Sequence, residues 1–147
     1  MTDMPGLSTG GSPVIGNRRR IIDLAREMER RGFPLIATPS SCDCVAMSQS
    51  ILEATRSVTV MAAVQPIYHR VAVSLAETGA HLHELGEGRF RLGIGVSHDL
   101  SNQVYHVQPG QPLEDCRTYV AQMRAAVERT GPQAPIVMAA LRNRMFD

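Results

Sequence analysis

At 147 residues the chain has the size of one domain with room for a buried core. Its 44% hydrophobic and 20% charged residues suit an ordinary globular protein, and a net charge of +1 provides no field that favours nucleic acid or an anionic membrane surface. With 4% aromatic residues and no tryptophan there is little to stack single strands on, and no run approaches the roughly 18 apolar residues of a membrane span.

Residues 1–16 are expected to be a flexible N-terminal segment, and 17–147 the folded domain. Within the first segment, "MPGLSTGG" makes a poor strand, and Met1 to Ile15 lacks the patterns of signal and transit peptides, so the cytoplasm is expected. Arg18 to Arg31 carries Ile21, Ile22, Leu24, Ala25 and Met28 on one face and stops at Gly32, an amphipathic helix with a glycine cap. The Arg18-Arg19-Arg20 run reads as its solvated start. "PLIAT" (Pro34–Thr38) is a short buried strand, and Ser40 or Ser41 is placed to cap the next helix, from about Asp43 to Thr55. "SVTVMAAVQPI" (Ser57–Ile67) is the next strand, interrupted by Pro66, and Val71 to Leu85 is a helix closed by Gly86. "GRFRLGIGVSH" follows, with a strand from Phe90 to Val96 and then a polar loop from about His98 to Gln111. Pro112 suits a first helical position, and Cys116, Tyr119, Val120, Met123 and Val127 keep helical spacing until Thr130-Gly131-Pro132. "PIVMAAL" (Pro135–Leu141) is the closing strand.

Strands separated by helices must run parallel, with right-handed crossovers. Two architectures suit this α/β order: an open doubly wound sheet, such as the flavodoxin type, or part of a (β/α)8 barrel. Both bind ligands at the carboxyl ends of their strands.

The Phe90–Val96 strand raises a question of its own. Phe90, Leu92 and Ile94 suit a helix-facing side, which leaves Gly93, Gly95 and Ser97 on the other. Glycine inside a strand marks either close approach of a neighbouring backbone or a ligand lying across it. Gly93-Ile94-Gly95-Val96-Ser97-His98 is no dinucleotide fingerprint, because a third glycine and a directly following helix are missing. Three cysteines argue against a disulfide framework, and Cys42-Asp43-Cys44 finds no second pair to complete a metal site. His81 and His83, two apart on a helix, face different directions and read as one surface and one packing histidine.

These segments resemble the luciferase-like monooxygenase superfamily, nearest its deazaflavin (coenzyme F-420)-dependent branch. The similar stretches are "LAREMERRGF", "ILEATRSVTVMAAVQPIYHR", "ELGEGRFRLGIGVSH", "PLEDCRTYVAQMRAAV" and "APIVMAALRNRM", with the GRF-x-LGIGVSH block the most specific. The resemblance implies part of a (β/α)8 TIM barrel, about strands 2 to 5 with their helices. It implies an oxidoreductase that transfers hydride with a reduced deazaflavin, coenzyme F-420, or with FMN in its place. It further implies a cis peptide at Ala63–Val64 behind the cofactor ring, and a loop of Gly95, Val96, Ser97 and His98 beside it.

The chain departs from the family at Arg142, where a glycine is usual, and at Val71, where a proline often follows the arginine matching Arg70. A whole barrel of this kind needs about 250 residues, so the chain reads as a truncated form lacking the segments that hold the cofactor phosphate. The alternative function is therefore a non-catalytic half-barrel that serves binding or assembly. His98 is the candidate acid or base, at a strand end with a titratable ring, ahead of His69 and His106. A small-molecule substrate is expected, with no nucleic acid, membrane or metal partner. A homo-oligomer would cover the open sheet edges.

Overall fold

The computed structural model describes residues 4–10, 16–41 and 43–139. Five parallel strands form one sheet in the order β1-β2-β3-β4-β5: β1 (Leu7–Ser8), β2 (Leu35–Pro39), β3 (Thr59–Pro66), β4 (Phe90–Gly95) and β5 (Ile136–Met138). Between them lie α1 (Arg18–Arg30), α2 (Cys44–Ala54), α3 (Ala72–Leu85), and then α4 (Asp99–Val104), α5 (Pro112–Ala125) and α6 (Val127–Thr130). A doubly wound sheet must reverse its strand order, and this one never does. Every right-handed crossover therefore lies on the same side, as in a (β/α) barrel, and the flavodoxin alternative is set aside.

The core lies between the sheet and that helical layer. Ile36, Val60, Ala62, Phe90, Leu92 and Ile94 leave the strands on the helical side and are all buried. They meet Ile21, Ala25 and Met28 of α1, Ile51 and Leu52 of α2, Leu75 and Leu82 of α3, and Tyr119 and Met123 of α5. The fit of α3 onto β4 is close: a Cβ added to Gly79 would stand 3.3 Å from Leu92 Cδ2. Thr38, the one polar side chain that β2 turns toward α2, accepts or donates to Ser48 Oγ at 2.9 Å and donates to the Cys44 carbonyl at 2.9 Å, so its hydroxyl is not left unpaired.

Several local expectations change. "MPGLSTGG" does contain a strand: Leu7 and Ser8 pair with Ile36 and Ala37, and the Thr9 N–H donates to the Ala37 carbonyl at 3.0 Å. Pairing with β2 overrides the poor local propensity. The expected loop after His98 contains the helix α4, whose one buried residue is the polar Asn102. Asp43 rather than Ser40 or Ser41 caps α2, accepting the Ala46 N–H at 3.0 Å. Leu24, expected on the apolar face of α1, is 42% exposed. The helix that begins at Pro112 breaks at Ala126 into α5 and α6. Arg142, the end of the last expected strand, Cys42 and half of the N-terminal segment lie outside the described residues.

Candidate functional site at the carboxyl ends of the strands

The glycines of β4 are explained first by β3. Ala62 pairs with Leu92 and Gln65 with Ile94, so Ala63 and Val64 together oppose the single residue Gly93. This is a β-bulge, with two residues against one. The Ala63–Val64 peptide bond within it is cis. The bulge turns Val64 toward the glycine face. A Cβ on Gly93 would run into the Ala62 carbonyl oxygen and lie 3.3 Å from Val64 Cγ1. A Cβ on Gly95 would stand 3.4 Å from Val64 Cγ2 and 3.2 Å from Ala139 Cβ. Of the two readings of this strand, close approach of the neighbouring chain accounts for Gly93 outright.

In the bulge Ala63 and Val64 are half-buried, as are Val96 and Ser97 where the chain leaves β4. Ser97 adopts a φ of +70°, which a side chain rarely takes, and so turns the chain sharply out of the strand. His98 is exposed at the N-cap position of α4, where its side chain makes no capping bond. His106, also exposed, ends the turn after α4 with a φ of +54°.

His69 is the histidine that the fold organises. Its Nε2 lies 3.1 Å from Oδ1 of the buried Asn102, and its ring stacks on Tyr105 with centroids 4.0 Å apart and planes 20° from parallel. The 3-10 turn Ile67–His69 carries it off β3, while α4 delivers Asn102 and, at its C-cap, Tyr105. Beside this group a cleft of about 110 Å³ opens between the exits of β2 and β3, lined by Ser40, Asp43, Gln65, Pro66, His69, Arg70 and Tyr105. Sequence reasoning missed this cluster because Asn102 and Tyr105 fall in a stretch without apolar periodicity. An asparagine and a tyrosine three residues apart, able to share one helical face, were the available signal.

Two tyrosines fasten the same end of the molecule. The Tyr119 hydroxyl donates to the Arg70 carbonyl at 2.9 Å, tying α5 to the turn after β3. Burial pushes that phenol up to about 12, with the nearby Arg70 charge opposing the shift. The Tyr68 hydroxyl donates to Asp115 Oδ2 at 2.7 Å, and burial together with that carboxylate raises its phenol further still. Of the remaining sequence candidates, His81 is exposed and His83 half-buried, as expected of one surface and one packing ring. Among the described residues no cluster of His, Cys, Asp or Glu is arranged to hold a metal, and no helix is long and apolar enough to cross a membrane.

A singly wound parallel sheet with a cleft at its strand exits defines a protein of the (β/α)-barrel class. The chain belongs to the luciferase-like monooxygenase family, which matches residues 3–145. Solved structures agree on the fold. One is a type II Baeyer-Villiger monooxygenase, the oxygenating constituent of 3,6-diketocamphane monooxygenase from Pseudomonas putida, in complex with FMN. It is 14% identical, with a TM-score of 0.69 over 82% of this chain and 38% of that one. Monooxygenase RslO1 from Streptomyces bottropensis is 18% identical, with a TM-score of 0.68 over 95% of this chain and 54% of that one. Apo-MsnO8 is 15% identical, with a TM-score of 0.76 over 95% of this chain and 49% of that one. The chain thus spans 38% to 54% of the length of these structures. No curated protein matches it.

Proposed function

We propose that the chain supplies ring-binding residues of a flavin-dependent oxidoreductase acting on a small molecule. The observation that carries this reading is the bulge of β3 against Gly93, which sets Val64 on the sheet's open face at the carboxyl ends of the strands. Ligands of barrel enzymes bind at that end. Half-buried Ala63 and Val64 offer small apolar surfaces and Ser97 one hydroxyl, while Val96 packs against the core. That is the composition a flat heteroaromatic ring requires, mostly apolar with few polar groups. The residues present therefore fit the ring.

In this reading Ala63 and Val64 would support one face of the ring, and Val96, packed on the core, would anchor the strand exit beside it. The Ser97 hydroxyl would orient its polar edge, and His98, exposed to solvent, is the candidate acid or base. Gly95 lets Val64 and Ala139 close together beneath them. The cofactor, when bound, supplies hydride or electron transfer, and the chain binds, positions and shields it. FMN is the ligand of the Pseudomonas structure; coenzyme F-420 is the one implied by the branch this sequence resembles most.

Fluorescence titration of the chain with FMN and with coenzyme F-420 tests the reading. Saturable binding of either is expected in the millimolar to high-micromolar range, equivalent to about 4–6 kcal/mol. Failure of both leaves the second reading, a non-catalytic module acting by assembly. That reading draws on β5, an outer strand whose Val137 and Met138 are each 40% exposed. It predicts self-association that light scattering detects and Met138→Lys diminishes.

A further inference from the structure

We infer that the cleft between the exits of β2 and β3 is a carboxylate-binding subsite centred on Arg70. Arg70 lines this cleft of about 110 Å³, and its Nη1 is shut off from solvent with no hydrogen-bond partner among the described residues. A guanidinium is charged at every working pH and can only donate. A buried charged donor without an acceptor is costly, so native structures rarely keep one without a reason. An oxyanion seated in the cleft beside this guanidinium would offset its charge.

The charges facing the cleft choose among oxyanions. Among the described residues Arg70 is its one fixed cation, Asp43 contributes a carboxylate, and His69 contributes an imidazole. A single added negative charge matches Arg70 one to one, and the guanidinium fork fits a carboxylate's two oxygens. Asp43 already opposes the first added charge, and a dianionic phosphate would bring a second against it. The volume accommodates several waters, hence a carboxylate head with the first carbons of its chain.

The walls are held in place before any ligand arrives. The Tyr119 hydroxyl fixes the Arg70 backbone at 2.9 Å, Asp43 is engaged by the Ala46 N–H at 3.0 Å, and Asn102 and Tyr105 hold the His69 ring. Preorganisation of this kind lowers the ordering cost of binding. The natural ligand is thus an organic acid, or the acid group of a larger substrate. The inference uses residues that the flavin reading does not, and it stands or falls without a cofactor.

Titration of the full chain with propionate, followed by NMR at constant ionic strength, tests it. Saturable shifts are expected at His69, Arg70 and Tyr105, with propionamide producing none. Arg70→Gln should weaken propionate at least tenfold while the amide spectrum stays dispersed. Asp43→Asn, which still caps α2, should tighten propionate severalfold by removing the like charge. This second variant decides the matter if Arg70→Gln does not fold. A lack of saturation, undiminished binding by folded Arg70→Gln, or no tightening in Asp43→Asn overturns the proposal. So does inorganic phosphate binding more tightly than propionate.

Discussion

Glu29 Oε1 accepts the Ser57 backbone N–H at 2.6 Å and the Ser57 hydroxyl at 3.0 Å, and with them the N–H groups of Arg56 at 2.8 Å and Val58 at 3.0 Å. One carboxylate in the last turn of α1 therefore gathers the loop that leads into β3. Burial alone would raise the Glu29 carboxyl, but the donors from Ser57, Val58 and Arg56 outweigh it and hold the group below its ordinary 4.5. A lowered carboxylate stabilises the fold at pH above the unfolded value, and that contribution is lost as the pH falls through the folded one. Glu29→Ala is expected to cost about 1–3 kcal/mol at pH 7. In urea denaturation the gap between wild type and variant should narrow below pH 4.5. A gap independent of pH would refute this role.

Arg89, the arginine of the "GRF" motif, is a second fastening at the amino-terminal end of the sheet. Its Nη1 donates to the Val58 carbonyl at 3.1 Å, and its Nη2 to the carbonyls of Leu52 at 3.2 Å and Thr55 at 3.3 Å. These last two are C-terminal carbonyls of α2, the groups a helix cannot satisfy by itself. Arg89→Lys keeps the charge but cannot reach three acceptors in a plane, so it should cost about 1–3 kcal/mol. Thermal unfolding would show this. Ligand binding at the opposite end of the strands should be unchanged.

The elements legible in the sequence are those whose apolar spacing is decided by one buried face. Ile21, Ala25 and Met28 mark α1, and the alternation of Phe90, Leu92 and Ile94 marks β4. What escaped it depends on partners distant in the chain. β1 exists because β2 offers it a ladder. α4 buries an asparagine for the sake of His69, so its inward face carries no hydrophobic signal. The site was legible in part, because the glycines of β4 did mark something unusual at the strand exit. A bulge in β3 has no composition of its own and was legible only through the family resemblance, which implies the cis Ala63–Val64 bond found there. The pairing of Arg70 with a cleft appears only once β2, β3 and α4 converge.

Tyr119 offers a test of the tie between α5 and the turn after β3. Tyr119→Phe removes the bond to the Arg70 carbonyl and should cost about 0.5–1.5 kcal/mol. Burial raises this phenol from 10.0 to about 12, so the folded state holds its proton more tightly than the unfolded chain does. That contribution is present in full below pH 10 and is lost as the pH rises through 12. The alkaline decline in stability should therefore be shallower in the variant. Equal slopes for both proteins above pH 10 would count against it.

The two glycines of β4 should respond differently to the same added methyl group. At Gly93 it meets the backbone carbonyl of Ala62, which the bulge and the flanking ladder hold in place. Gly93→Ala should cost about 1–3 kcal/mol or more, as overpacking against backbone does. At Gly95 it meets side-chain atoms, Val64 Cγ2 at 3.4 Å and Ala139 Cβ at 3.2 Å, and these need to yield only a few tenths of an ångström. Gly95→Ala should be the milder of the pair. From the sequence, Gly95→Val is expected to remove a cofactor while sparing the fold. The positions of Val64 and Ala139 correct this, because valine's further methyls must press on the chain itself. Gly95→Ala combined with Val64→Ala is the cleaner experiment, since the second change withdraws the atom that the first one crowds. In a double-mutant cycle the cost of Gly95→Ala should shrink in the Val64→Ala background. If instead the two costs simply add, Val64 is not what Gly95 makes room for. A cofactor affinity that falls with Gly95→Ala while stability holds would then place the ligand directly on that glycine.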